Sequence, residues 1–318
     1  MSFSKALGSW QCHTLNALLR MRRSHLESVD DLLHLRSRVS RLDRWRGCSV
    51  VNTISFERRM MNGVPVDHLK PRLRPSRGRL LYLHGGAFCF HSPWHYRRLV
   101  MDFCRKLDVH GLLPDYRLAP EHPFPAALDD CFSCYRELLN EGVSPEDIVL
   151  AGDSAGGQLA LGVMLKVREA GLPQPSCAVL ISTGGDWTLG GGSFIENAKR
   201  DAMFRVENLR FLRSVYLRDV PPDSPLASPL FADLHGLPPL YLVASRHEMM
   251  RDVSVAIAAK VNAAGGLAEL RLWNHVCHAF PLSNFLPEAA SARADIVSFI
   301  ESQIRRPQEA TRHANTAA

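Results

Sequence analysis

The sequence has no apolar run approaching the roughly 20 residues that cross a bilayer, so no spanning helix and no stable membrane insertion are expected. After Lys5 there is no apolar stretch of the kind a secretory signal carries, and Ser9-Trp10-Gln11-Cys12 does not match a lipoprotein cleavage site. Paired cysteines are scarce too. Of eight, only Cys131 and Cys134 are close, in a predicted helix with neither a second pair to complete a metal site nor the strand context of a redox motif. Free, buried thiols, no metal and a cytoplasmic location are the expectation. Beyond the first segment there is almost no excess of one charge: nine of the basic residues and only four acids fall within residues 1–46, while the whole chain stands at +6. The remainder is near neutral, and no nucleic-acid partner is expected. A basic amphipathic N-terminus could meet a lipid surface, but the commoner arrangement packs its apolar side (Leu15, Leu18, Leu19, Val29, Leu32, Leu33) on its own protein. There is no internal repeat and no linker, so the 318 residues read as one domain with ordinary composition, 46% apolar and 22% charged.

What is present is alternation. Residues to about 46 read as one or two helices. Val50 to Phe56 and Val64 to Asp67 predict a strand pair turned at Asn62-Gly63. Short buried strands follow at Leu80–Leu83, His110–Pro114, Ile148–Ala151, Ala178–Ser182, Leu240–Ala244 and Leu267–Trp273. Helices are expected between them, near Trp94–Leu107, Pro125–Leu139, Gln158–Ala170 and Val253–Ala264, with a closing one at Glu288–Ile304. This order predicts a mostly parallel sheet covered by helices on both faces. The stretches 1–46 and 185–235 break the pattern and are expected to form a helical cap over a core of about 47–184 and 236–305, with 306–318 a loose tail.

The chain centres on Gly152-Asp153-Ser154-Ala155-Gly156-Gly157, set between a strand and a helix. A Gly/Ser turn entering a helix would be unremarkable alone. In this context Gly-x-Ser-x-Gly is a nucleophile elbow, a turn so tight that the serine is strained and its neighbours must lack side chains. Acyl transfer also needs a base, an orienting acid and oxyanion donors. His84-Gly85-Gly86-Ala87 leaves a strand with nearly bare backbone N–H groups. His275 and His278 follow the last strand, and Glu248 and Asp252 follow the one before it.

Together, His84-Gly85-Gly86-Ala87-Phe88, Asp115-Tyr116-Arg117-Leu118-Ala119-Pro120-Glu121, Phe124 to Asp130, the elbow and Ser228-Pro229-Leu230 resemble the hormone-sensitive-lipase-like (bacterial family IV) carboxylesterases, nearest the subgroup with Gly-Asp-Ser-Ala-Gly at the elbow. The resemblance covers about Leu80 to Phe280. It implies an α/β-hydrolase fold with an eight-stranded sheet, no cofactor, and a small ester substrate of short to medium acyl length. It further implies Ser154 as nucleophile, Glu248 as triad acid and His278 as base. Gly86, Ala87 and Ala155 match the oxyanion donors, with Gly85 letting the loop bend. Asp252 falls on the second acidic position of the acid motif, and His275 is off register. Three departures stand out: Glu248 where aspartate is commoner, Ala279 where glycine is usual, and His91 where glycine often stands. Amidase or lactone hydrolase activity on the same fold is the alternative, and a non-catalytic small-ligand receptor is the other, disfavoured by the presence of His278. Relatives often dimerise along the edge strand near Leu267–Trp273, so a homodimer is possible here.

Overall fold

Asn62 and Gly63 adopt φ of +46° and +86°, the left-handed pair that turns strands back within two residues, and so β1 (Ile54–Met61) returns as β2 (Val64–Pro71). These belong to a computed structural model that describes residues 8–23, 25–46, 54–71, 76 and 78–304. The strands continue as β3 (Arg79–Leu83), β4 (His110–Pro114), β5 (Ile148–Asp153), β6 (Cys177–Ile181), β7 (Leu240–Ser245) and β8 (Ala268–Trp273), in sheet order β1-β2-β4-β3-β5-β6-β7-β8. Only β2 runs against its neighbours; every pair from β4 to β8 is parallel. The expected strand residues 50–53 and the tail 306–318 lie outside the described residues.

Side chains alternate across the sheet, and the core divides accordingly. Leu81, Leu83, Leu150 and Leu242 pack with α4 (Ala126–Asn140), α5 (Ala155–Glu169) and α8 (Arg251–Ala263). Leu80, Tyr82, Val149, Ala151 and Val243 face α3 (Pro93–Leu107) and α9 (Pro287–Gln303). α5 begins at Ala155, three residues earlier than the composition suggested, because Gly156 and Gly157 are themselves helical. A Cβ on Gly156 would fall inside the carbonyl oxygen of Leu83, backbone that cannot swing aside. Gly156→Ala is therefore expected to destabilise the fold by at least about 2 kcal/mol, read as a lower urea midpoint at unchanged slope.

The N-terminal helices α1 (Trp10–Met21) and α2 (Val29–Arg46) bury less than their apolar count suggested. Leu32 is buried and Leu15 and Leu19 are half-buried, but Leu18, Val29 and Leu33 face solvent. Neither helix lies on a sheet face: α1 meets the loop after β8, and α2 meets the His84 loop and the start of α3 (Pro93–Leu107). Asn16 Nδ2 donates to the carbonyl of His275 (2.7 Å), Arg36 to that of Cys89 (2.7 Å), and Asp43 accepts from the N–H groups of Trp94 and His95 (2.9 and 3.0 Å). Residues 182–239 hold only the short α6 (Gly192–Glu196), α7 (Val206–Leu217) and a 3-10 turn, with no strand.

Candidate active site

From β3 the chain leaves to β4 on one side, while β5 lies on the other, so the carboxyl ends of β3 and β5 form the crevice where order reverses. The His84 loop and Ser154 sit there. Ser154 has φ +53° and ψ −119°, a strained conformation held on both sides. Its N–H donates to the Ile181 carbonyl (2.8 Å), and its own carbonyl accepts from Gly184 N (3.0 Å) and Gln158 N (3.1 Å).

The His84 loop is fastened to this elbow by Asp153. Its Oδ1 accepts from the Tyr82 hydroxyl (2.9 Å) and Gly85 N (3.1 Å), and its Oδ2 from the Tyr96 hydroxyl (3.0 Å). Burial pushes the Asp153 carboxyl up to about 6, against the lowering effect of the two tyrosine bonds. Gly85 N also reaches the Tyr96 oxygen (2.9 Å), so Gly85 does not supply a free oxyanion donor. Its contribution is the missing side chain, since a Cβ would collide with the Asp153 carboxylate. Gly86, Ala87 and Phe88 all take positive φ (+120°, +51°, +60°), and the N–H groups of Cys89 and Phe90 close on the Gly86 carbonyl. The N–H groups of Gly86, Ala87 and Ala155 donate to nothing among the described residues. Ala155 opens α5, where the helix end favours negative charge.

Glu248 lies in the loop after β7, and its Oε2 is 2.7 Å from His278 Nδ1, both side chains buried. Glu248 Oε1 accepts from Ser245 N (2.9 Å), which fixes the carboxylate plane. A carboxylate can only accept, so Nδ1 carries the proton and Nε2 of the neutral ring is left as a base. That Nε2 is buried without a hydrogen-bond partner among the described residues. No bond joins it to the Ser154 hydroxyl here; such contacts commonly tighten only once substrate is bound. The two loops are nonetheless tied to the same strand end. Ala279 N, beside His278, donates to Ser182 Oγ (3.0 Å), one residue beyond the Ile181 that holds Ser154. Burial pulls the His278 pKa down, but the Glu248 hydrogen bond and charge, with Asp201 and Asp153, carry it above the ordinary imidazole value. Ala279 pays for its place with φ +51°, the left-handed strain that glycine would avoid.

The rival groups point elsewhere. Asp252 opens α8, where it pairs with Arg251 (2.7 Å) and accepts from Ser193 N (2.7 Å). His275 lies between the His13 and His247 rings, tilted against both, and His91 pairs with Asp115 (2.8 Å) and lies flat on His84. The sequence alone does not disclose the tethering parts of Asp153 and Ser182. Asp153 was visible as the residue before the serine, but its partners come from three other places in the chain; Ser182 carried no signal.

Beside Ser154 lies a cavity of about 30 Å³ lined by Phe88, Trp187, Leu189, Phe194, Phe204 and Leu209. A more polar one of about 210 Å³ adjoins His278 and Glu248, with Asn16, Arg20, Arg200 and His247 in its walls. Among the described residues no group of three His, Cys, Asp or Glu is placed to hold a metal ion, no helix is long and apolar enough to cross a membrane, and seven cysteines are buried and unpaired.

A family model described as the alpha/beta hydrolase fold matches residues 80–282. An esterase of Acinetobacter venetianus is 34% identical over 252 residues, 79% of this chain and 83% of that one. An acetyl-hydrolase of Streptomyces hygroscopicus is 38% identical over 209 residues, 65% and 70% of the two chains. The crystal structure of an esterase from the bacterial hormone-sensitive lipase family superposes with a TM-score of 0.86 at 33% identity, covering 93% of this chain and 99% of the other. The chain belongs to the alpha/beta hydrolase family and, within it, to the hormone-sensitive-lipase-like carboxylesterases.

Proposed function

We propose that this carboxylesterase cleaves short- to medium-chain esters through an acyl-enzyme on Ser154, as a member of the Gly-Asp-Ser-Ala-Gly subgroup. The observation that carries the reading is the buried Glu248–His278 pair at 2.7 Å, its Nε2 without a partner among the described residues, with the His278 loop tied to Ser182 and the strained Ser154 to the adjacent Ile181. His278 Nε2 takes the Ser154 proton as Oγ attacks the ester carbonyl; the tetrahedral oxygen is met by the N–H groups of Gly86, Ala87 and Ala155, each worth about 3 kcal/mol in the transition state. The imidazolium returns the proton to the departing alcohol. Water, deprotonated by the same nitrogen, then attacks the acyl-enzyme and releases acid and free serine.

In this reading the described residues of 1–46 (8–23 and 25–46), with 185–235, form the cap, and the cavity walled by Phe88, Trp187 and Phe194 takes the acyl chain. The substrate is a small ester and not a nucleic acid; buried, unpaired thiols suit a reducing cytoplasm, and the free edge of β8 suits a homodimer. A p-nitrophenyl ester series tests the proposal. From the short- to medium-chain reading, kcat/KM is expected to peak at acetyl to hexanoyl esters and to fall at least ~10-fold by decanoyl. A maximum at long chains would contradict the acyl assignment, and no turnover on any ester would contradict the activity.

A further inference from the structure

Residues 192–204 cross the loop that carries Glu248 and are fastened to it by side chains. Ser193 Oγ donates to the Met249 carbonyl (2.6 Å). Asn197 Nδ2 donates to the carbonyls of Arg246 (3.0 Å) and Glu248 (2.9 Å). Asp201 adds one tie to that loop and two bonds within its own segment. Its Oδ2 accepts from Met249 N (2.9 Å), the residue after Glu248, while its Oδ1 accepts from Met203 N (2.8 Å) and Phe204 N (3.0 Å). That turn lays the Phe204 ring edge-on against the His278 imidazole, centroids 4.8 Å apart at 81°. Asp201 is 1% exposed.

We infer that Asp201 is a positioning residue for ester hydrolysis: one buried carboxylate, contributed by the segment above the site, brackets the Glu248–His278 pair from both sides. This rests on the Ser154–Glu248–His278 reading. Its physical logic lies in what a carboxylate adds over a neutral cap. Three backbone N–H groups could be satisfied by uncharged oxygens at a lower desolvation cost. A negative charge at this depth also favours the imidazolium that forms as Ser154 is acylated. The acidic groups acting on the ring are Glu248 from the β7 loop, Asp201 from the segment above and Asp153 from the elbow.

Asp201→Asn retains Oδ1 for Met203 and Phe204, removes the charge and turns an amide N–H₂ towards Met249 N. With p-nitrophenyl acetate it is expected to lower kcat ~10-fold with KM within ~2-fold, and to move the acid limb of kcat/KM to lower pH. Asp201→Glu keeps the charge but displaces the bonds, and should lower kcat while the limb stays near its original place. Asn197→Ala loosens the same loop without a change of charge and should do likewise. Asp201→Asn with unchanged kcat and limb would overturn the inference, as would failure of both Asp201 variants to fold by circular dichroism, which would assign Asp201 to stability alone. Ser154→Ala turnover within ~100-fold of the parent would instead overturn the reading beneath it; a ~10⁴-fold loss in Ser154→Ala beside an indifferent Asp201→Asn defeats this inference only.

Discussion

Ser154→Ala is expected to lower kcat on p-nitrophenyl acetate by ~10⁴-fold or more, leaving only what oxyanion donors and binding supply. The fold should tolerate the change. Ser154 is held through its backbone, by Ile181, Gly184 and Gln158, and its hydroxyl makes no hydrogen bond among the described residues. Thermal unfolding within about 2 °C of the parent is the control that separates lost chemistry from lost structure. The pre-steady-state burst is the more incisive readout. With an ester whose deacylation is the slower step, an acyl-enzyme on Ser154 releases close to one equivalent of nitrophenol per site before the steady state, and without the hydroxyl there is nothing to acylate. A burst that survives in Ser154→Ala would place the acyl group on another residue.

The architecture was legible because buried parallel strands announce themselves as short apolar runs between helical stretches, and β3 to β8 fall where such runs stand. The elbow was legible for a different reason: its glycines are required by contact with backbone, as the Leu83 carbonyl against Gly156 makes plain. The proposed acid was less so. Two carboxylates follow β7, and only the family resemblance favoured Glu248 over Asp252. The fold separates them by where α8 starts. Glu248 precedes the helix and is free to turn towards His278, whereas Asp252 is the second residue of α8 and faces Arg251 and Ser193. Asp201 had no signature at all. It is one acid in an irregular stretch, and its partner Met249 lies 48 residues on, in a loop with no periodicity of its own. The same limit applied to α1 and α2, whose helical spacing was clear but whose buried side depended on loops they had yet to meet.

Glu248→Gln should produce the other large effect, and its pH dependence carries the sign. The base must be neutral to accept the serine proton, so activity rises with pH through the His278 ionisation. Burial alone would lower that ionisation, yet the Glu248 bond and charge raise it above its ordinary value, so the acid limb of the parent is expected above that of a free imidazole. Glutamine keeps an oxygen for Nδ1 but gives up the charge, so the limb should move to lower pH while kcat falls ~10²–10⁴-fold for want of a partner to the imidazolium. Asp153, pushed up to about 6 by burial, protonates over part of the same range. The comparison is therefore made as the displacement between parent and variant rather than as an absolute position. Asp252→Asn, which alters a carboxylate bound to Arg251 and Ser193, should leave the limb in place and change kcat less than ~3-fold. A limb that moves in Asp252→Asn and stays still in Glu248→Gln would transfer the role of acid to Asp252, and with it the account of why His278 is basic.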